Sequence, residues 1–262
     1  MDTKIIVALA VATLVACDDS APAPTAVPVP TPAPARAPLA NPTAPAGPKG
    51  SLKGTIPYTG KIAPPADVQH NFDPYCNRIK LKEEDLVVNP NHTLKNVFVH
   101  LIGAPAAPPP TQAATIVQSK CLYEPRVQGL VVGQTLSIRN GDPVLHNVHG
   151  FAGASSLFNR AQVPGAPSGN IDEKYSQPDK LLKFKCDVHP WMSAYVWVEA
   201  NGLFAVSDAS GNFEIKDIPE GKYEVEAWHE TLGSKRTSIT IVAGNASEIK
   251  IDFTGREGFG KI

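Results

Sequence analysis

Four side chains in the second half of the chain have the types and spacing of a metal-binding set. Cys186, His189 and Met192 follow one another at intervals of three residues, and His146 lies about forty residues upstream. Two imidazoles, one thiolate and a weak axial thioether are the ligand set of an electron-transfer copper centre. Thiolate and thioether favour Cu(I) and imidazole serves both oxidation states, so this mixture suits a single ion that gains and loses one electron.

Zinc is the competing metal, because cysteine and histidine bind it well. A structural zinc site normally takes all four ligands from Cys and His, and a catalytic zinc site keeps an open position near a carboxylate base. Met192 is a poor zinc ligand, and strand alternation points Asp187 away from Cys186. The residues therefore favour copper.

Short alternating apolar runs must position these ligands. From Gly50 onward the chain is punctuated by Gly, Pro, Asn and Asp, and no stretch keeps a helical apolar spacing over three turns. Strands are predicted at 96–102, 134–139, 180–186, 213–215, 223–227 and 237–241. The pattern indicates an all-β fold built from sandwiches. Alternation along 182–186 places Leu182, Phe184 and Cys186 on one inward face.

Residues 115–198 resemble the cupredoxins, and among them the amicyanins. The likeness lies in the short Cys-x-x-His-x-x-Met loop, the run HNVHGFAG at 146–153, and the Val132-Gly133 turn before the preceding strand. It implies a Greek-key sandwich that holds one mononuclear blue-copper ion. Carried over by position, the equatorial ligands are His146, Cys186 and His189, and the axial ligand is Met192.

The same resemblance implies roles for the neighbours of the ligands. Asn147 is expected to hydrogen-bond across to the cysteine loop, and Pro190 and Trp191 to flank an exposed edge of His189 where partners dock. His149 is interpreted as a structural or surface residue. The remaining histidines, which are His70, His92, His100 and His229, lack ligand spacing and are expected to be core or surface residues.

Residues 203–253 resemble a carboxypeptidase regulatory-like, transthyretin-type module. The run FAVSDASGNFEIKDIPEGKYEVEAWHE carries the likeness, and Phe213, Ile215, Tyr223 and Val225 alternate toward one core. Segments 54–56 and 96–101 look like the opening strands of that module, so the copper domain is either inserted in it or consecutive with it. The module shows no catalytic constellation, and its resemblance implies a scaffold or, less commonly, a carbohydrate binder.

The first 49 residues have the composition of a targeting segment and a tether. Residues 1–17 contain Lys4 and an apolar run too short to span a bilayer, and their end, Leu-Val-Ala-Cys, resembles the lipobox of bacterial lipoproteins. That resemblance implies export to the periplasm and a lipid anchor at Cys17, whereas an ordinary cleaved signal is the alternative. Residues 18–49 are rich in Ala and Pro and are expected to form an extended spacer.

The remaining cysteines, Cys76 and Cys121, are expected to form a disulfide in an oxidising compartment. Two buried free thiols are the alternative.

A formal net charge of −1 gives no overall field toward nucleic acid.

Five segments are expected: a signal segment (1–17), a tether (18–49), N-terminal strands (50–112), the copper domain (113–200) and the second module (201–262). The strands of 50–112 either belong to the second module or are separate from it. The expected function is a non-enzymatic periplasmic electron carrier working between protein redox partners such as a dehydrogenase or a c-type cytochrome. The alternative is a copper-binding or carbohydrate and cell-envelope binding protein without redox turnover.

Overall fold

The computed structural model describes residues 47–68, 73–165 and 169–255. Cys17, the signal segment, most of the tether and His70 lie outside these ranges. Of the residues that the structure describes, 52% lie in strands or bridges, and a 3₁₀ turn lies at Cys76–Arg78. No helix in the described ranges is long and apolar enough to cross a membrane. The all-β prediction is confirmed.

Nine strands, β3 to β11, form the first sandwich. One sheet has the order β4-β3-β6-β9 and the other β5-β11-β10-β7-β8, and buried side chains from both form a single core. The strands are β3 (Ala114–Ser119), β4 (Leu122–Glu124), β5 (Val127–Val131), β6 (Thr135–Asn140), β7 (His146–Ala152), β8 (Ser155–Gln162), β9 (Ile171–Lys174), β10 (Lys180–Lys185) and β11 (Ser193–Glu199).

Strand β10 shows why this sequence forms a half-buried strand. Leu182, Phe184 and the following Cys186 are buried in the core, while Lys183 and Lys185 lie on the opposite face. The period of two expected for a strand is therefore observed, and the inward placement of Cys186 is confirmed.

Seven further strands form the second sandwich. Its sheets have the orders β13-β1-β16 and β12-β2-β14-β15 and enclose a separate core. The strands are β1 (Lys49–Thr55), β2 (Phe98–Ile102), β12 (Phe204–Val206), β13 (Asn212–Pro219), β14 (Gly221–His229), β15 (Gly233–Ile241) and β16 (Ala246–Lys250). Strands β1 and β2 thus pair with strands from the end of the chain, and β3 to β11 lie between β2 and β12 in the sequence.

A small aromatic cluster joins the two sandwiches. Phe98 of β2, Val127 of β5, Tyr195 of β11 and Trp228 of β14 are buried together. Tyr195 and Trp197 alternate with the core-facing residues of β11, so they present their rings to the second sandwich. Burial of rings of this size contributes a large apolar area to the contact between the sandwiches.

Candidate metal centre

Three strand ends bring the predicted ligands to the same end of one sheet. His146 opens β7, Cys186 directly follows β10, and Met192 directly precedes β11. Strand β10 pairs with both neighbours, since Lys185 lies opposite His149 on β7 and opposite Ser193 on β11. The loop 186–192 therefore folds over the position where β7 begins.

The three nitrogen and sulfur ligands converge at a distance suited to one ion. Nδ1 of His146 lies 2.9 Å from Nδ1 of His189, and Sγ of Cys186 lies 3.6 Å from Nδ1 of His189. The ligand atoms of all three lie within 4.8 Å of one another. With bonds of about 2.0–2.1 Å to nitrogen and about 2.3 Å to sulfur, the donor atoms of one ion lie roughly 3–4 Å apart, so these separations are compatible with a shared ion. The donor set and its spacing fit a copper ion.

Met192 lies at the base of the same loop. Its backbone N–H donates to the carbonyl of His189 at 2.9 Å, and its carbonyl accepts from the N–H of Cys186 at 3.2 Å. Its side chain is fully buried, as are the side chains of His146, Cys186 and His189, all with 0% exposure. These bonds close the loop on itself and fix the spacing of its three ligands.

Asn147 holds the ligand loop from the neighbouring strand. Its Oδ1 accepts hydrogen bonds from the Cys186 thiol at 3.3 Å, from the N–H of Asp187 at 2.7 Å and from the N–H of Val188 at 3.4 Å. The carbonyl of Asn147 accepts from the hydroxyl of Tyr123 at 2.8 Å. The bond across to the cysteine loop that the family resemblance implied is therefore present.

Asp142 is a part of the centre that sequence reasoning missed. Its Oδ2 lies 2.9 Å from Nε2 of His146, and the pair is buried. Burial raises the pKa of Asp142 and lowers that of His146. Their mutual hydrogen bond, together with the bonds to Asp142 from the N–H groups of Cys121 and Lys120 and the interaction of His146 with Cys186, outweighs burial, so the pKa of Asp142 is lowered and that of His146 raised. The only sequence signal was a carboxylate four residues before the ligand, after the turn residue Gly141.

The environment of Cys186 favours the thiolate that a metal requires. Burial raises the pKa of this thiol, whereas hydrogen bonds with His146 and His189 and from backbone N–H groups lower it, leaving a net pKa of about 6. The ordinary value is 9.0. The side chain is thus prepared to bind a soft cation.

The expectation of an exposed His189 edge is wrong. His189 is fully buried, and its Nε2 lies 3.6 Å from Sγ of Cys76. Cys76 is bonded to Cys121, so the disulfide interpretation is confirmed and the free-thiol alternative is excluded. Trp191 donates from Nε1 to the carbonyl of Cys121 at 2.9 Å. A disulfide-bonded segment therefore covers the edge that was expected to face a partner.

The other histidines in the described ranges lie outside the cluster. His149 points to the partly exposed side of β7, where its Nδ1 lies 2.9 Å from Oδ2 of Asp187. His100 and His229 are buried near the second sandwich, and His92 is exposed. None of them belongs to the group of buried donors formed by His146, Cys186 and His189.

Comparison with known proteins gives partial likenesses only. No protein-family model and no curated protein matches the chain. A purple cupredoxin from Nitrosopumilus maritimus matches at 23% identity over 33% of this chain and 99% of its own, with a TM-score of 0.29. An oxidized amicyanin mutant is 24% identical and covers 33% of this chain and 82% of its own, with a TM-score of 0.30. A copper-containing nitrite reductase from Thermus scotoductus is 19% identical, and the match covers 37% of this chain and 24% of its own, with a TM-score of 0.30. At these TM-scores the likeness carries no argument about function, which must be inferred from the residues of the centre.

Proposed function

We propose that this chain binds one mononuclear copper ion at His146, Cys186, His189 and Met192 and carries single electrons between protein redox partners. The observation that supports this most is the buried convergence of two imidazole nitrogens 2.9 Å apart with a thiol sulfur 3.6 Å from one of them. This combination of two nitrogens with one sulfur, next to a buried thioether residue, selects copper over zinc.

The protein's contribution is to hold the donors in one arrangement for both oxidation states. Copper supplies the one-electron oxidation and reduction. Asn147 ties the cysteine loop to β7, and Asp142 keeps the imidazole proton of His146 on Nε2, which leaves Nδ1 free to coordinate. Outer hydrogen bonds of this kind orient the ligands and tune the metal.

Burial of the donors argues for electron transfer over catalysis. All four proposed ligand residues are fully buried. A substrate would need a route to the metal and a vacant coordination position. We therefore propose that no substrate bonds to the metal and that the protein is not an enzyme.

We propose a periplasmic, membrane-anchored setting on the basis of the N-terminal sequence. The lipobox-like end at Cys17 supports export to the periplasm and a lipid anchor in a membrane, and the Pro-rich residues that follow support a spacer between anchor and domain. Redox proteins such as a dehydrogenase or a c-type cytochrome are the proposed partners.

Spectroscopy of the copper-loaded protein tests the metal assignment. We expect an intense thiolate-to-copper absorption band and narrow EPR hyperfine splitting in the oxidised protein. The Cys186→Ala variant should stay folded and lose the band, whereas Asp172→Asn, which changes an exposed carboxylate on β9, should keep it. A wild-type protein that shows no such band, or a Cys186→Ala variant that retains it, would contradict the proposal.

Redox titration tests the electron-carrier part separately. A reversible one-electron transition with a slope of about 59 mV per decade is expected. A protein that binds copper but shows no reversible transition would support the storage or binding alternative instead.

A further inference from the structure

The Cys76–Cys121 disulfide lies directly against the proposed metal ligands. Sγ of Cys76 is 3.6 Å from Nε2 of His189, and Cys121 belongs with Asp142 and His146 to a group whose donor atoms lie within 4.8 Å of one another. Both cysteines are fully buried. The sulfur pair therefore sits behind both imidazoles, on the side away from the nitrogens that face Cys186.

A short segment, residues 73–79, forms the surface over this sulfur pair, and we call it the cap. The carboxylate of Asp73 accepts from the N–H groups of Tyr75 and Cys76 at 2.7 Å and 3.1 Å, which fixes the local turn. The hydroxyl of Tyr75 donates to Oδ1 of Asp142 at 3.3 Å. Pro74, Asn77 and Arg78 are exposed, so the cap is a single layer between solvent and His189.

The disulfide is the covalent link among several contacts that hold the cap on the first sandwich, since Tyr75 and Ile79 also pack against its core. The cap comes from the chain between β1 and β2 of the second sandwich, and it forms one 3₁₀ turn and no strand of its own. Cys121 lies in the tight β3–β4 turn of the first sandwich, where Lys120 and Cys121 both have positive φ, 52° and 58°. One covalent bond therefore attaches a segment of one sandwich across the metal-binding end of the other.

We propose that the Cys76–Cys121 disulfide seals the metal centre, holding the cap over His189 so that small anions and thiol reagents are kept from the ligands while electrons still cross. The seal can be tested on the metal-free protein, because it protects the side chains of the proposed ligands. The test with copper-loaded protein also rests on the function proposed above. Electrons can tunnel through a layer of packed atoms, whereas a molecule must displace that layer.

Alkylation of Cys186 in the metal-free full-length chain tests the seal. Iodoacetamide forms a thioether with the free thiol and releases iodide, and peptide mass spectrometry separates Cys186 from Cys17. We expect the Cys76→Ala/Cys121→Ala variant to react at Cys186 at least tenfold faster than the wild type. Tyr75→Phe, which keeps the disulfide, should react within about twofold of the wild type. Equal rates for the wild type and the double variant would overturn the proposal.

A destabilised control separates sealing from general loosening. Ile218→Ala removes buried volume from the core of the second sandwich without touching the cap, so it should accelerate Cys186 alkylation only in proportion to its loss of unfolding free energy. If the double variant accelerates alkylation no more than its own loss of unfolding free energy predicts, the disulfide has no specific sealing role.

If the double variant does not fold, alkylation of the wild type at increasing urea concentration tests the seal. A sealed Cys186 reacts only through opening of the structure, so its alkylation rate should rise with urea as steeply as global unfolding does. A rate that is insensitive to low urea would show access in the native state and overturn the seal.

Azide provides the copper-loaded readout. It should leave the absorption band of the wild type unchanged and shift or bleach that of the double variant. A wild-type band that responds to azide would overturn the seal. Absence of any band in the wild type would instead refute the copper function, and the alkylation result on metal-free protein would still decide the sealing role.

Discussion

Oδ2 of Asp142 and Nε2 of His146 lie 2.9 Å apart, in a pair that is closed to solvent. The same carboxylate accepts from the N–H of Lys120 at 2.7 Å and from that of Cys121 at 2.8 Å. Asp142 therefore connects a ligand, through its ring nitrogen, to the turn that bears the disulfide. A carboxylate in this position sets which ring nitrogen keeps the proton.

Replacing Asp142 should weaken metal binding. In Asp142→Asn the charged acceptor of the His146 proton is lost, so copper affinity should fall about 10–100-fold. Competition with a chelator of known affinity measures the change. Asp172→Asn, at an exposed position of the same sandwich, is the control and should bind as the wild type does. Unchanged affinity in Asp142→Asn would show that the carboxylate does not position the ligand.

Replacing Asn147 should destabilise the ligand loop. Asn147→Ala leaves the N–H of Asp187 and the Cys186 thiol without their acceptor, which costs about 1–3 kcal/mol. Urea unfolding of the metal-free protein measures the loss. Asn170→Ala, at an exposed position of the same sandwich, is the control and should cost less than about 0.5 kcal/mol. An equal loss in the two variants would count against a special role for Asn147.

The buried ion pairs of His100 should make stability depend on pH. Its Nδ1 lies 2.9 Å from Glu199 and its Nε2 3.6 Å from Glu226, which also contacts Arg236 at 2.9 Å. Burial lowers the pKa of His100, but the hydrogen bonds with Glu199 and Glu226 raise it further, to about 9 from 6.5. The stabilisation is therefore complete below pH 6.5 and is lost as pH rises through about 9.

Unfolding free energies measured from pH 6 to 10 test this sign. The wild type should lose on the order of 3 kcal/mol relative to His100→Gln across that interval. His92→Asn, at an exposed position with a φ of 59° that asparagine tolerates, is the matched control and should follow the wild type. Parallel curves for the wild type and His100→Gln would refute the linkage.

Weakening the aromatic contact between the sandwiches should lower stability without changing the metal centre. Trp228→Ala removes a ring whose centroid lies 5.4 Å from that of Tyr195 and 5.8 Å from that of Trp197, and it should cost about 3–5 kcal/mol. The position of the copper band should not change, because the ligand loop is at the end of β10 and β11. Val242→Ala, at an exposed site, should cost less than about 0.5 kcal/mol. A shifted band in Trp228→Ala would show that the two regions are coupled.

Most residues of the proposed centre could be selected from sequence because their signal is local. Cys186, His189 and Met192 lie in one loop, and strand alternation before the loop indicates which way Cys186 points. The long strands β14 and β15 were predicted from the same alternation, although β14 extends further at both ends and β15 at its start. Where one face of a strand is buried, the sequence carries that information directly.

The features that could not be predicted from sequence depend on contacts between residues far apart in the chain. Strand β8, Ser155–Gln162, is an edge strand that is largely exposed on both faces, so it has no apolar alternation to recognise. The contact between Cys76 and His189 joins residues 113 positions apart, and no residue pattern near either predicts it. The buried state of His189 could not be anticipated for this reason.

The pairing of β1 with β16 has a consequence for how the chain is made. Ser51 to Thr55 find their parallel partners at Ala246 to Lys250, and β2 finds its partners only in β12 and β14. During synthesis, all of β3 to β11 emerges while β1 and β2 still present unsatisfied edges. Such edges invite association with other chains, and distant pairings form slowly. Aggregation should therefore be most probable before β12 to β16 have been synthesised, and dependence on chaperones should be greatest in that interval.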